Sequence, residues 1–199
     1  MTPLKKTRIK TVMKYTWPFY ILSAVLVVLF MHIIFAVSHQ TPEYKTLTLF
    51  ISGEVSDTKK LKDDLLETYQ DKELESVSII SSHPDDRNYN SKLTIPGYNS
   101  ADILIIPTSK LEKLIVSDFA LELSDELITS YYSGYNFYRK EEVKYGIKLN
   151  KEIVKTYMSL PSEDCYMFLN GRSSNLGAYS NKANANHDNA LTLAKTWGN

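Results

Sequence analysis

The chain has 199 residues, 23 basic and 23 acidic side chains, and therefore no formal net charge. The balance hides a split: Lys5, Lys6, Arg8, Lys10 and Lys14 all lie in the first 40 residues, which carry no acid, so the remainder is net acidic. That excludes a basic domain built for nucleic acid, and a single cysteine, Cys165, excludes an intrachain disulfide.

Residues 17–37 carry no formally charged side chain. As a helix they would reach about 31 Å, the thickness of a hydrocarbon core. Trp17, Phe19 and Tyr20 gather at one end, where amphipathic rings settle at a membrane interface. Pro18 falls near the expected helix start, where proline is tolerated. Five bases precede the run and none follows before Lys45. The positive-inside bias then predicts a cytoplasmic tail over 1–16, a bilayer-spanning anchor over 17–37 and an extracytoplasmic domain over 41–199. The competing reading is a signal peptide cleaved near Ala36-Val37-Ser38, but its apolar region would normally be shorter.

Beyond Pro42, TLTLFIS at 46–52 reads as a strand covered on both faces. Ser56 or Asp57 can cap a helix over 56–70 with Leu61, Leu65, Leu66 and Tyr69 on one face. SVSIIS at 76–81 is a second strand, which completes a β-α-β unit and predicts a parallel pair. Residues 82–100 hold two prolines, a glycine and several polar clusters and read as a long loop, with room for a small element. Residues 101–106 form a third, unbroken apolar strand. Ser109 is expected to cap a helix with Leu111, Leu114 and Ile115 inward, and Ser124 a further helix. YNFYRKEEVKYGIKL at 135–149 reads as a hairpin around Arg139–Glu142. CYMFL at 165–169 is another strand, 170–186 a polar loop, and 188–197 a final helix. The expected fold is an α/β domain with a mainly parallel sheet. The loops after its strands gather at one rim, the usual place for a ligand. There lie Ser52, Gly53, Glu54, Thr108 and Ser109.

No GxSxG, HExxH, Walker loop or CxxC occurs, so neither an enzyme, a cofactor nor a metal is expected. His83-Pro84-Asp85-Asp86 reads as a solvated turn rather than a cation site. Of 14 tyrosines, eight fall between Tyr131 and Tyr179. Half-buried packing in strands explains most of them; as ligand platforms, Tyr132, Tyr135 and Tyr145 are the candidates.

The succession TLTLFISG, amphipathic helix, SVSIIS, SADILIIPTSKLEKL and FALELSDEL resembles the first lobe of bacterial extracellular solute-binding proteins of ABC transporters, the sugar-type class. EVKYGIKL is similar to that family's Tyr-Gly-Ile-Pro stretch on the approach to the second lobe, with Lys148 in place of the proline. CYMFLNGRSSNLGAYS followed by DNALTLAKTW resembles the later strand, loop and helix. The likeness covers 46–197 and implies one lobe only, because 150–162 leaves no room for a second. Three functions follow as expectations. The first is a tethered module for a small solute, sugar or peptide, serving transport or envelope sensing, with a shallow cleft at the rim. The second is an envelope interaction protein with a flat Tyr-rich face and no cleft. The third, a hydrolase, would need a nucleophile and base at the rim, and the sequence offers no such pair.

Overall fold

The computed structural model describes residues 3–38, 41–180 and 187–198. It divides into two units, residues 1–40 and 41–199. The first is one helix, α1 (Pro3–Ser38). Its stretch Thr16–Phe35 is long and apolar enough to cross a membrane, and none of it is buried in protein. The Ser23 hydroxyl donates to the Tyr20 carbonyl at 3.0 Å, which satisfies the polar side chain within the helix. Because α1 begins at Pro3, Pro18 lies inside the helix rather than near its start.

In the second unit the elements are β1 (Thr46–Ser52), β2 (Glu54–Val55), α2 (Thr58–Thr68), β3 (Ser76–Ser82), α3 (Tyr89–Lys92), α4 (Tyr98–Ser100), β4 (Ile103–Pro107), α5 (Thr108–Leu111), α6 (Asp125–Tyr131), β5 (Phe137–Lys140), β6 (Val143–Lys148), α7 (Lys151–Val154), β7 (Met158–Ser159), β8 (Cys165–Leu169) and α8 (Asn189–Gly198). Six strands form one sheet in the order β3-β1-β4-β8-β6-β5, and β2 pairs with β7 in a small ribbon.

The three apolar strands are neighbours and parallel, as the β-α-β reading requires: β1 pairs with β3 from Thr46↔Ser76 to Ser52↔Ser82, and with β4 at Leu49↔Ile103. Asp57 caps α2, its carboxylate accepting the Lys60 N–H at 2.9 Å, and Leu61, Leu65 and Tyr69 are buried beneath. Ser124 caps α6 by accepting the Leu127 N–H. The sheet as a whole is mixed rather than mainly parallel. β6 ends and β8 begins at the same rim, joined by the short stretch 149–164, so adjacent strands must be antiparallel there. β8 is antiparallel to β4 and β6, and β5 to β6.

Two cores explain why β4 shows no polar alternation. Leu49, Ile51, Ile103, Ile105, Met167 and Ile147 pack on one face with α2 and α8; Phe50, Leu104, Ile106 and Phe168 pack on the other with Tyr89, Leu93 and Phe119. The second face is covered by 89–100, read from sequence as a loop but folded as α3, a π-helical turn (Leu93–Gly97) and α4. The helix expected after Ser109 is only α5, one turn long. Leu111 and Val116 are buried, while Ile115, expected inward, is 62% exposed. The polar loop after β8 continues through 181–186, outside the described residues.

Candidate functional site

The carboxyl ends of β1, β4 and β6 meet at one rim, as expected. The stretch 149–164 crosses this rim and closes most of it. β7 pairs antiparallel with β2, Glu54↔Ser159 and Val55↔Met158, and the Ser56 N–H donates to the Tyr157 carbonyl at 2.9 Å. Ser52 is therefore fully buried, sharing a 2.7 Å hydrogen bond with the Tyr89 hydroxyl. Burial pushes the Tyr89 phenol up to about 12. Gly53 is a glycine for a packing reason: a β-carbon there would stand 2.5 Å from the Ser159 carbonyl oxygen. Glu54 remains exposed at the edge of the ribbon.

At the end of β4, Thr108 donates N–H and hydroxyl to the Asp164 carbonyl, at 3.0 and 2.9 Å. Ser109 does not cap α5 with its hydroxyl. Its N–H donates to Glu163 Oε2 at 2.7 Å and its hydroxyl to Glu163 Oε1. A carboxylate from the far side of the connection thus serves the free N–H at the helix start, the role expected of the Ser109 hydroxyl. Of the five rim positions, then, Ser52 and Gly53 are sealed, Thr108 and Ser109 are tied to the connection, and Glu54 stands apart on β2.

What stays open is the corner beside β6. A basin of about 540 Å³ is lined by Tyr135, Asn136, Lys148, Asn150, Lys151 and Asp164 among others. Lys148 reaches Asp164 Oδ2 at 2.8 Å, and this hydrogen bond holds the ammonium above its ordinary pKa. Lys151 donates to the carbonyls of Pro161 and Glu163 and fixes the floor. Asn150 caps α7, accepting the Glu152 N–H at 3.1 Å. The Tyr135 hydroxyl donates to the Lys195 carbonyl at 2.9 Å, which anchors the ring at the basin wall. Asn136 is exposed there, with no side-chain hydrogen bond among the described residues. The set is an aromatic wall with amide, ammonium and carboxylate groups around it. It can hydrogen-bond a polar solute.

Only Tyr135 of the three tyrosine candidates reaches this basin. Tyr132 is fully buried, donates to the Leu191 carbonyl at 3.0 Å, and has its pKa pushed up by burial. Tyr145 is nearly buried and bonds Glu122 at 3.3 Å, on the opposite face of the sheet. Sequence reading missed Lys148, Asn150, Lys151 and Asp164 as lining groups. The one signal was Lys148, a lysine in place of the resembled proline.

At the opposite rim a second hollow of about 250 Å³ lies over the buried Asp102, Asn170 and Ser173. Asp102 accepts from the Thr48 N–H at 2.7 Å and from the Ser173 hydroxyl. Asn170 donates to the carbonyls of Tyr98 and Ala101 and accepts the Arg172 N–H. These groups are spent on one another and on the strand ends, so they knit β1, β4 and β8 together. Among the described residues no cluster of three His, Cys, Asp or Glu is placed to hold a metal ion. At 83–86 Asp86 accepts from Ser82 and from the His83 N–H, while the exposed Asp85 lies 3.7 Å from Lys110 Nζ. Cys165 is buried, and burial pushes its thiol up to about 11, far from the thiolate a reactive cysteine needs.

No known family model matches this chain, and no curated protein matches it.

Proposed function

We propose that this protein is a membrane-anchored, extracytoplasmic binding module that resembles one lobe of a sugar-type solute-binding protein and takes a small polar solute in the basin beside β6. On this reading α1 is the anchor, its basic end lies in the cytoplasm, and the module serves transport or envelope sensing. The observation that carries it is the open polar basin at the carboxyl rim, bounded by Tyr135, Asn136, Lys148 and Asp164, on a rim where Ser52 and Gly53 are buried and Thr108 and Ser109 are hydrogen-bonded to the connection. A ring with neighbouring amide and charged groups suits a polyhydroxylated ligand, which presents both an apolar ring face and many hydroxyls. The chain departs from the resembled family at one point: β6 and β8 are neighbouring strands, and only 149–164 lie between them, where that family would carry its second lobe.

The interaction-protein alternative called for a flat tyrosine face. Tyr132 and Tyr145 are buried instead, and outside α1 the large apolar side chains exposed among the described residues are Ile95, Ile115 and Ile153.

The test is a thermal-shift screen of the full chain in lipid nanodiscs against mono- and disaccharides and short peptides. A ligand at one hundred times its Kd stabilises by about 2.7 kcal/mol, which raises Tm by roughly 5–10 °C for a domain of this size. Asn136→Ala and Asp164→Ala should abolish the shift. A screen with no shift, or a shift indifferent to both substitutions, refutes the assignment. Protease shaving of intact cells tests the orientation: an exterior domain that resists while lysed cells lose it overturns the topology.

A further inference from the structure

The two edges of the six-stranded sheet are built differently. β5 is four residues long, carries Arg139 and Lys140, and is interrupted by a register shift at Tyr138/Arg139. Those are the devices that keep an edge strand from pairing with another chain. β3 has none of them. It runs seven residues, SVSIISS, without a charge, a proline or a break in its register with β1.

Which of its backbone groups are free follows from alternation along the strands. Thr48 directs both its N–H and its C=O to Asp102, on the β4 side. The odd-numbered residues of β1 therefore face β3. In the parallel register of Leu47↔Val77, their partners are the even-numbered residues of β3, as the Gly53 N–H to Ser82 carbonyl bond of 3.1 Å attests. The N–H and C=O groups of Val77, Ile79 and Ser81 point outward. No other hydrogen bond engages them among the described residues. Val77 is buried, Ile79 and Ile80 are half-buried and Ser81 is exposed, so the edge opens to a partner from Ile79 onward.

We infer that β3 is an assembly edge that pairs antiparallel with β3 of a second copy of this chain, about a two-fold axis through Ile79. That register sets Ile79 against Ile79 and Val77 against Ser81, matching outward residue to outward residue, so all six outward groups of each copy find partners. No like charges meet along the strand, because it has none. Just beyond its ends, Glu75, which already pairs with Lys45, comes opposite His83 of the other copy, so no like charges meet there either. An isologous contact of this kind is self-complementary and closes at two subunits. It joins two sheets into one of twelve strands and covers the exposed flanks of Ile79 and Ile80.

The test uses the full chain in detergent, with sedimentation equilibrium over a hundredfold concentration range and amide hydrogen exchange at both ends of that range. The wild type should pass from monomer to dimer, with exchange at Val77, Ile79 and Ser81 slowing as dimer forms. Ser81→Pro removes an outward N–H without touching the β1–β3 ladder, and should weaken the dimer at least tenfold. Ser81→Lys brings a charge onto the edge and should act in the same direction; it decides the matter should the proline variant fail to fold. A chain that stays monomeric overturns the inference. So does a dimer that survives both substitutions, or one whose formation leaves exchange at the three β3 amides unchanged, since another surface, α1 included, would then be holding it.

Discussion

Replacing Gly53 by alanine tests whether the stretch 149–164 is the lid of the rim. A β-carbon at Gly53 would sit 2.5 Å from the Ser159 carbonyl oxygen and 3.0 Å from Leu160 Cδ2. An ordinary contact needs about 3.4 Å, so the ribbon must retreat by roughly 0.9 Å from a backbone atom that has no rotamer to change. The retreat pulls on the β2–β7 pairing at Glu54↔Ser159 and on the Ser56 to Tyr157 bond. Two or three backbone hydrogen bonds at about 1 kcal/mol each, or the usual cost of overpacking, both give a loss of about 1–3 kcal/mol. In a domain of this size that lowers Tm by roughly 3–10 °C. Gly171→Ala is the control, because its β-carbon would find nothing nearer than 3.9 Å. Urea unfolding of both variants measures the difference, and hydrogen exchange locates it. Amides of 156–160 should exchange faster in Gly53→Ala while those of β4 and β8 hold. If Gly53→Ala is as stable as Gly171→Ala, the connection is not packed on the rim as argued.

Four further substitutions probe other parts of the same framework. Gly146→Ala would drive a β-carbon to within 2.8 Å of the buried Phe168 ring, and urea melts should show a loss of about 1–3 kcal/mol. Asp102→Ala strips the acceptor from the Thr48 N–H and the Ser173 hydroxyl and should cost about 2–4 kcal/mol, against about 1 kcal/mol for Ser173→Ala, in the same assay. Burial alone would raise the pKa of Asp188, but the hydrogen bond and charge of Lys72, with the Tyr131 hydroxyl, outweigh it and hold the carboxyl below its ordinary value. A depressed acid contributes stability above its unfolded pKa and loses it as pH falls through the folded one. Asp188→Asn should therefore be clearly less stable than wild type at pH 6, and the gap should narrow below about pH 4; a gap that is constant with pH refutes the ion-pair account.

The elements legible in the sequence are those whose signal is local. β4 announces itself because a strand covered on both faces needs no polar residue from Ile103 to Pro107, and all five residues there are buried. Asp57 caps α2 three residues from the amide it serves. The 82–100 stretch was read as a loop because Pro96 and Gly97 argue against helix; the structure accommodates both in a π-helical turn between α3 and α4. The lid was illegible for another reason. β2 and β7 are two residues each, too short for any periodicity, and they exist only because each finds the other across the rim. Glu163 serves Ser109 from 54 residues away, and Ser173 meets Asp102 across 71, separations at which spacing carries no information. Hence the strand ends gather at one rim as the β-α-β reading requires, but there Ser52 and Gly53 are packing positions, Thr108 and Ser109 are tied to the connection, and the basin groups belong to β6 and the connection.

Strand ends at a rim leave backbone groups that something must satisfy. Here the connection does so repeatedly: Ser56 N–H to Tyr157, Thr108 N–H to Asp164 and Leu149 N–H to Cys165, each at about 3 Å. On the single-lobe reading this is what permits a lobe to stand without a companion, since the polar ends of β1 and β4 are capped by the chain's own 149–164 rather than by a second domain or a bound solute. On the proposed function, the same economy sets where a solute would enter. The connection pairs with β2 over β1, binds α5 over β4, and returns into β8 beside Lys148, so it leaves the outer side of β6 uncrossed. Tyr135 and Asn136, on the segment that leads into β5, face that uncovered corner from the other side. A ligand there meets Lys148 and Asp164 as an ion pair already formed, and must either bridge it or break it. Bridging costs little and breaking forfeits a charge-assisted bond, so the proposed function predicts a neutral, many-hydroxyl solute, whose hydroxyls donate to the carboxylate and accept from the ammonium, over an anion that would compete with Asp164 for Lys148.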